Sequence, residues 1–151
     1  MTNALIAARD RFAQAHPEQR IDLNGREWGY LDVGAGPALI LIPGTLGRCD
    51  IFWQQIDALA GRLRIIATSY PATGGVAEWA TDIITLMDRQ KIETATILGS
   101  SLGGYLAQFI AGLAPERMEK LVAANTLLPN CEAPPKGIAG WPGELIENWA
   151  A

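Results

Sequence analysis

Residues 98–107, LGSSLGGYLA, set two serines and three glycines between an apolar segment of β character and an apolar segment of helical period. Gly99, Ser100, Ser101, Leu102 and Gly103 match G-x-S-x-G with Ser101 at the centre. In a sharp strand-to-helix turn this pattern holds the serine at a strained tip, its hydroxyl free to attack an acyl carbon. Gly99 and Gly103 lie two residues before and after it, where the strand and the helix must approach closely and side chains do not fit. Ser100 fails the same test, because Leu98 and Leu102 flank it. The plainer reading of the stretch is a glycine-rich turn that packs well or holds an anion at the helix N-terminus.

A second stretch agrees with the nucleophile reading. LILIPGTLG, residues 39–47, puts Pro43, Gly44, Thr45 and Leu46 directly after an apolar run. A main-chain N–H from that loop, together with the N–H of Leu102, would point at a developing oxyanion.

A general base is harder to find. The one histidine, His16, precedes the first strand and a proline, and reads as a solvated residue at a helix end. Asp50, Asp82 and Asp88 read as helix caps or surface charges. Cys49 and Cys131 are too few for a disulfide framework, and no Cys/His cluster has metal-site spacing, so both read as inert thiols and neither metal nor cofactor is expected. No triad assembles from this chain's own residues.

The elements that must position Ser101 follow from periodicity. Residues 4–15 have helical spacing. RIDLNGREWGYLDVG alternates apolar and polar residues about Asn24-Gly25, which predicts antiparallel strands at 20–24 and 27–33. The runs at 38–42, 64–69, 94–98 and 120–125 are continuously apolar, as parallel strands buried on both faces should be. Helical period returns at Phe52, Ile56 and Leu59, at Trp79, Ile83 and Met87, and over 102–113. The fold class is therefore α/β: a mostly parallel sheet with helices on both faces and an N-terminal antiparallel hairpin. Residues 1–128 form the core; 129–143 are rich in proline and glycine, and ELIENWA reads as a last helix.

Composition narrows the partners. With 49% hydrophobic residues in 151 and a formal charge of −4, the chain supports one domain and carries no basic footprint for nucleic acid. No run reaches the length of a membrane span and no secretion signal is evident, so a cytoplasmic location is expected. A dinucleotide site is disfavoured, because Gly34-x-Gly36 precedes its strand and no G-K-[ST] occurs.

The hairpin, the loop PGTLG, the strand ending in SYP at 69–71 and the turn GSSLGG together resemble the α/β-hydrolase superfamily over residues 20–128. LIPGTLGRCDIFWQQ followed by GSSLGGYLAQ is most similar to its maspardin-like members, which have proline where many relatives have histidine. The resemblance implies a truncated hydrolase fold in which Ser101 is the nucleophile and the amides of Leu102 and Thr45 form the oxyanion hole, acting on a small acyl or ester substrate. It also implies an acid and a histidine downstream of residues 120–125, beyond what this chain holds; Asn125 stands where some relatives carry the acid, but it is an amide. Removing the serine or the histidine of a protease triad costs about 10⁶ in turnover, while an oxyanion hole and binding alone leave about 10³–10⁴ over water. The strand at 120–125 would be left with an unpaired edge, which a homodimer, the tail with Trp141 and Trp149, or a separate partner chain would cover. Three functions follow: a serine esterase, a non-catalytic binding or scaffold protein on the same fold, or the N-terminal part of a longer hydrolase.

Overall fold

A computed structural model describes residues 3–127. The proline-rich stretch at 129–143 and the helix expected from ELIENWA lie outside the described residues. Helix α1 (Ala4–Ala15) leads into the hairpin β1 (Gln19–Leu23) and β2 (Arg26–Val33). Then come β3 (Ala38–Ile42), a 3-10 turn with α2 (Trp53–Leu59), β4 (Arg64–Ser69), α3 (Val76–Arg89), β5 (Ala95–Ser100), α4 (Leu102–Leu113) and β6 (Met118–Ala124). The six strands form one sheet in the order β1-β2-β4-β3-β5-β6. The hairpin joins it through the antiparallel β2–β4 pair, and β4, β3, β5 and β6 run parallel.

Alternation along the strands divides the core between the two faces. Ile40, Ile42, Ile66 and Ile97 pack with Ile83, Leu86 and Leu106 of α3 and α4. Leu39, Leu41, Ile65 and Ala67 face the other way, against Phe12 of α1 and Ile56 of α2. Helices thus cover both faces, as the alternation of strand and helix in the sequence requires. No helix among the described residues is long and apolar enough to cross a membrane.

Several strand boundaries differ from expectation by one or two residues, and the larger differences have local reasons. Asn24 belongs to the hairpin turn, with φ of 54° beside Gly25 at 83°, because both central residues of such a turn take positive φ. β5 extends through Gly99 and Ser100, which carry no apolar signature but pair with Ala123 and Ala124 of β6. β6 begins at Met118 and ends at Ala124, leaving Asn125 outside at φ of 49°. Nor is β6 buried on both faces: Glu119 and Lys120 are exposed and Val122 is 43% exposed. α4 covers one face of β6, and among the described residues β5 is the strand paired with it.

Asp82 is not the surface charge its helical setting suggests. It is fully buried on α3, where Arg26 donates to it from Nε at 2.6 Å and Nη2 at 2.8 Å, Asn24 at 2.8 Å and Trp28 Nε1 at 2.9 Å. All three donors come from the hairpin, so one carboxylate fastens β2 and its turn to α3. Burial alone would raise its pKa, but the hydrogen bonds from Arg26, Asn24 and Trp28 and the Arg26 charge hold it below the ordinary carboxylate range.

A carboxyl depressed in the folded state contributes stability that is present above its unfolded pKa of about 3.9 and is lost as pH falls through the folded value. Asp82→Asn is expected to cost on the order of 3 kcal/mol at neutral pH, because it strands a partly buried arginine. Urea melts from pH 7 down to 2.5 should show the wild type losing stability below about pH 4 and the variant losing less of it.

Candidate functional site

Ser101 occupies the junction of β5 and α4 with φ of 54° and ψ of −118°. For a residue with a β-carbon this conformation costs of order 1–3 kcal/mol and persists only where the surroundings enforce it. Here they do. The Ser101 N–H donates to Ala124 O at 2.9 Å, and its carbonyl accepts from Gly104 N at 3.0 Å and Tyr105 N at 3.1 Å. The residue is exposed, and among the described residues its hydroxyl has no hydrogen-bond partner. Ser100 is the last residue of β5 and half-buried.

The glycines explain how the bend closes. A β-carbon on Gly99 would lie 2.0 Å from Gly103 O, and one on Gly103 would lie 2.2 Å from Ile42 O. Main chain therefore rests directly on main chain from β5 through α4 to the end of β3. Gly104 is less tight but still close, since its β-carbon would meet the Thr126 side chain at 2.8 Å. Opposite the serine, a β-carbon on Gly44 would lie 3.3 Å from Ser101 Cβ and 3.9 Å from its Oγ.

That contact brings the loop after β3 against the bend. Thr45 is exposed beside Gly44, and among the described residues neither the Thr45 amide nor the Leu102 amide has a hydrogen-bond acceptor. Leu102 opens α4, where the first amides of any helix lack intrahelical partners. Two amides and one hydroxyl without partners among the described residues thus lie on the loops at the carboxyl edge of the sheet, where ligands bind in open α/β folds.

The other titratable groups lie elsewhere. His16 caps the C-terminus of α1, its N–H donating to Phe12 O at 2.9 Å and its ring 4.7 Å from that of Phe12. Asp50 pairs with Arg48, and Asp88 with Arg117, both at exposed positions. Cys49 is buried and its thiol is pushed up to about 11, chiefly by burial, so it stays protonated and unreactive at neutral pH. Cys131 lies outside the described residues. No group of three metal-ligating side chains is found among the described residues. Tyr70, in the SYP segment after β4, is assigned no place at the site by the sequence, yet its hydroxyl hydrogen-bonds the loop facing Ser101.

A family model for the alpha/beta hydrolase fold matches residues 37–143. The chain belongs to the α/β-hydrolase family. It is similar to maspardin of Danio rerio, 30% identical over 124 residues that make up 76% of this chain and 40% of that protein. It is also similar to the putative carbamate hydrolase RutD of Caulobacter sp. (strain K31), 32% identical over 111 residues, 64% of this chain and 41% of that one. Naproxen esterase (carboxylesterase NP) from Bacillus subtilis shares the fold with a TM-score of 0.68 at 20% identity, over 82% of this chain and 50% of that one. The chain spans about two fifths of the length of the curated relatives it matches.

Gly99→Ala and Gly103→Ala are each expected to destabilise the fold by about 3 kcal/mol, because the added methyl meets backbone that cannot step aside. Gly61→Ala, where a β-carbon meets nothing within 4 Å, should melt close to wild type and serves as the control. Thermal denaturation of the three variants checks the ranking.

Proposed function

We propose that this chain carries the nucleophile of a serine hydrolase acting on a small carboxylic ester or related acyl compound. The observation that carries the reading is Ser101 at φ of 54°, its hydroxyl unpartnered and exposed between the loop of Thr45 and the first turn of α4. In this scheme Ser101 Oγ attacks the acyl carbon and loses its proton to a base. The amides of Leu102 and Thr45 hold the oxyanion, the ester C–O bond breaks, and the alcohol leaves with a proton. Water then releases the acid from the acyl-enzyme. The likeness to naproxen esterase and to the putative carbamate hydrolase supports acyl chemistry of this kind.

The base must come from outside the residues described. His16 sits on α1, and among the described residues no imidazole or carboxylate hydrogen-bonds the Ser101 hydroxyl. The same observation favours a second reading, a non-catalytic binding protein on the hydrolase fold.

Residues 1–128 are proposed as the hydrolase core and 129–151 as the start of a cap or a swapped tail. A second chain, most simply another copy of this one, is proposed to cover the outer edge of β6, since an open strand edge is a template for pairing. The free buried thiol of Cys49 suits a reducing compartment, the cytoplasm.

A fluorophosphonate probe is expected to label the wild type at Ser101 and to leave Ser101→Ala unlabelled, with peptide mapping as the readout. Hydrolysis of p-nitrophenyl acetate should be slow and lost in the same variant. No labelling of well-folded wild type would support the binding protein instead. Light scattering behind size exclusion should give twice the chain mass of 16.2 kDa, and a monomer mass at all concentrations refutes the dimer.

A further inference from the structure

Tyr70 follows β4 directly and reaches over the loop that faces Ser101. Its hydroxyl donates to Pro43 O at 2.9 Å, and its own N–H donates to Gly47 O at 3.0 Å. Between those two points the Gly47 N–H donates to Gly44 O at 2.9 Å. Three hydrogen bonds therefore close residues 43–47, and two of them end on Tyr70.

The consequence for the loop follows from the planarity of the peptide unit, in which C=O and N–H point in opposite directions. Holding Gly44 O toward Gly47 N turns the Thr45 N–H out of the loop. Holding Pro43 O toward the tyrosine fixes the preceding peptide, and with it the Gly44 backbone that lies against Ser101 Cβ. The peptide at the far end of the loop, Gly47–Arg48, is held by the Tyr70 amide.

The ring is itself fixed. It lies 4.8 Å from the ring of Trp79 on α3 and 5.7 Å from that of Trp28 on β2. Trp79 in turn donates from Nε1 to Thr73 O at 3.0 Å. Burial pushes the Tyr70 hydroxyl well above the ordinary tyrosine range, so it remains a protonated donor at any working pH. Ring stacking and the hydroxyl bond are separable, because phenylalanine keeps the first and lacks only the second.

We propose that Tyr70 is a positioning residue of the acyl-transfer site: through its hydroxyl bond to Pro43 it holds the Thr45 amide where the oxyanion forms. The proposal rests on the serine-hydrolase reading of Ser101. A displaced donor costs rate without costing ground-state binding, since it acts on charge that appears only in the transition state.

The test compares Tyr70→Phe with wild type in the full chain, using fluorophosphonate labelling of Ser101 and turnover of p-nitrophenyl acetate, each normalised to the folded fraction. Labelling and kcat are expected to fall about 10- to 100-fold, with KM changed by less than about 3-fold. Gly47→Ala is the second variant. It strains a residue at φ of +73° and loosens the same loop from its far end, and it should slow labelling in the same way. If wild type labels and the folded variants label at its rate, the positioning role is overturned while the hydrolase reading stands. If folded wild type does not label at all, both fall.

Discussion

The structure depends on a contact between two pieces of main chain. At Gly99 and Gly103 the end of β5 and the first turn of α4 touch with no room for a β-carbon, and Gly103 touches the end of β3 in the same way. The bend between them admits one conformation, and Ser101 takes it at the cost of a positive φ. Hydrogen bonds from the serine amide to β6 and to its carbonyl from α4 hold it on both sides. The strain is thus a property of the junction, and the exposure of the hydroxyl is its consequence.

Strand order brings the remaining parts of the site together. Because β3 lies between β4 and β5, and all three run parallel, Tyr70, the loop 43–47 and Ser101 emerge side by side from one edge. The hairpin contributes from further away. Asp82 fixes Trp28 through the indole N–H, the Trp28 ring lies tilted against that of Tyr70, and the Tyr70 hydroxyl donates to Pro43 O. A buried carboxylate on α3 is in this way connected to the loop facing the serine, through groups that each have one geometry.

Much of this was legible in the sequence where one signal decides the outcome. β3, β4 and α4 occupy the residues their apolar patterns specify, because burial on a sheet face or helix stripe is a local property of the sequence. The bend at Ser101 was legible for a related reason: only small residues permit it. Other features depend on distant partners. Asp82 sits on α3 with the spacing of a surface charge, and nothing near it reveals the arginine and tryptophan that arrive from more than fifty residues away. Tyr70 is one aromatic residue after an apolar strand, and its hydrogen bond to Pro43 appears only when the loop after β3 is folded beneath it. The apolar run of β6 resembles that of an interior strand, yet its burial depends on what lies beyond it.

Two shortfalls of the described residues lie on the same side of the sheet. β6 has an outer edge with no described strand beside it and Val122 exposed on the face that α4 does not cover, while Ser101 has a hydroxyl with no base. The Ser101 amide is hydrogen-bonded to Ala124, the last residue of β6, on the edge that faces β5, so one strand separates the serine from the open edge. A strand paired to that edge would run about 4.8 Å beyond β6 and roughly 10 Å from β5. The open edge therefore bears on the candidate site as well as on the sheet: whatever pairs with β6 lies one strand further from Ser101 than β6 itself.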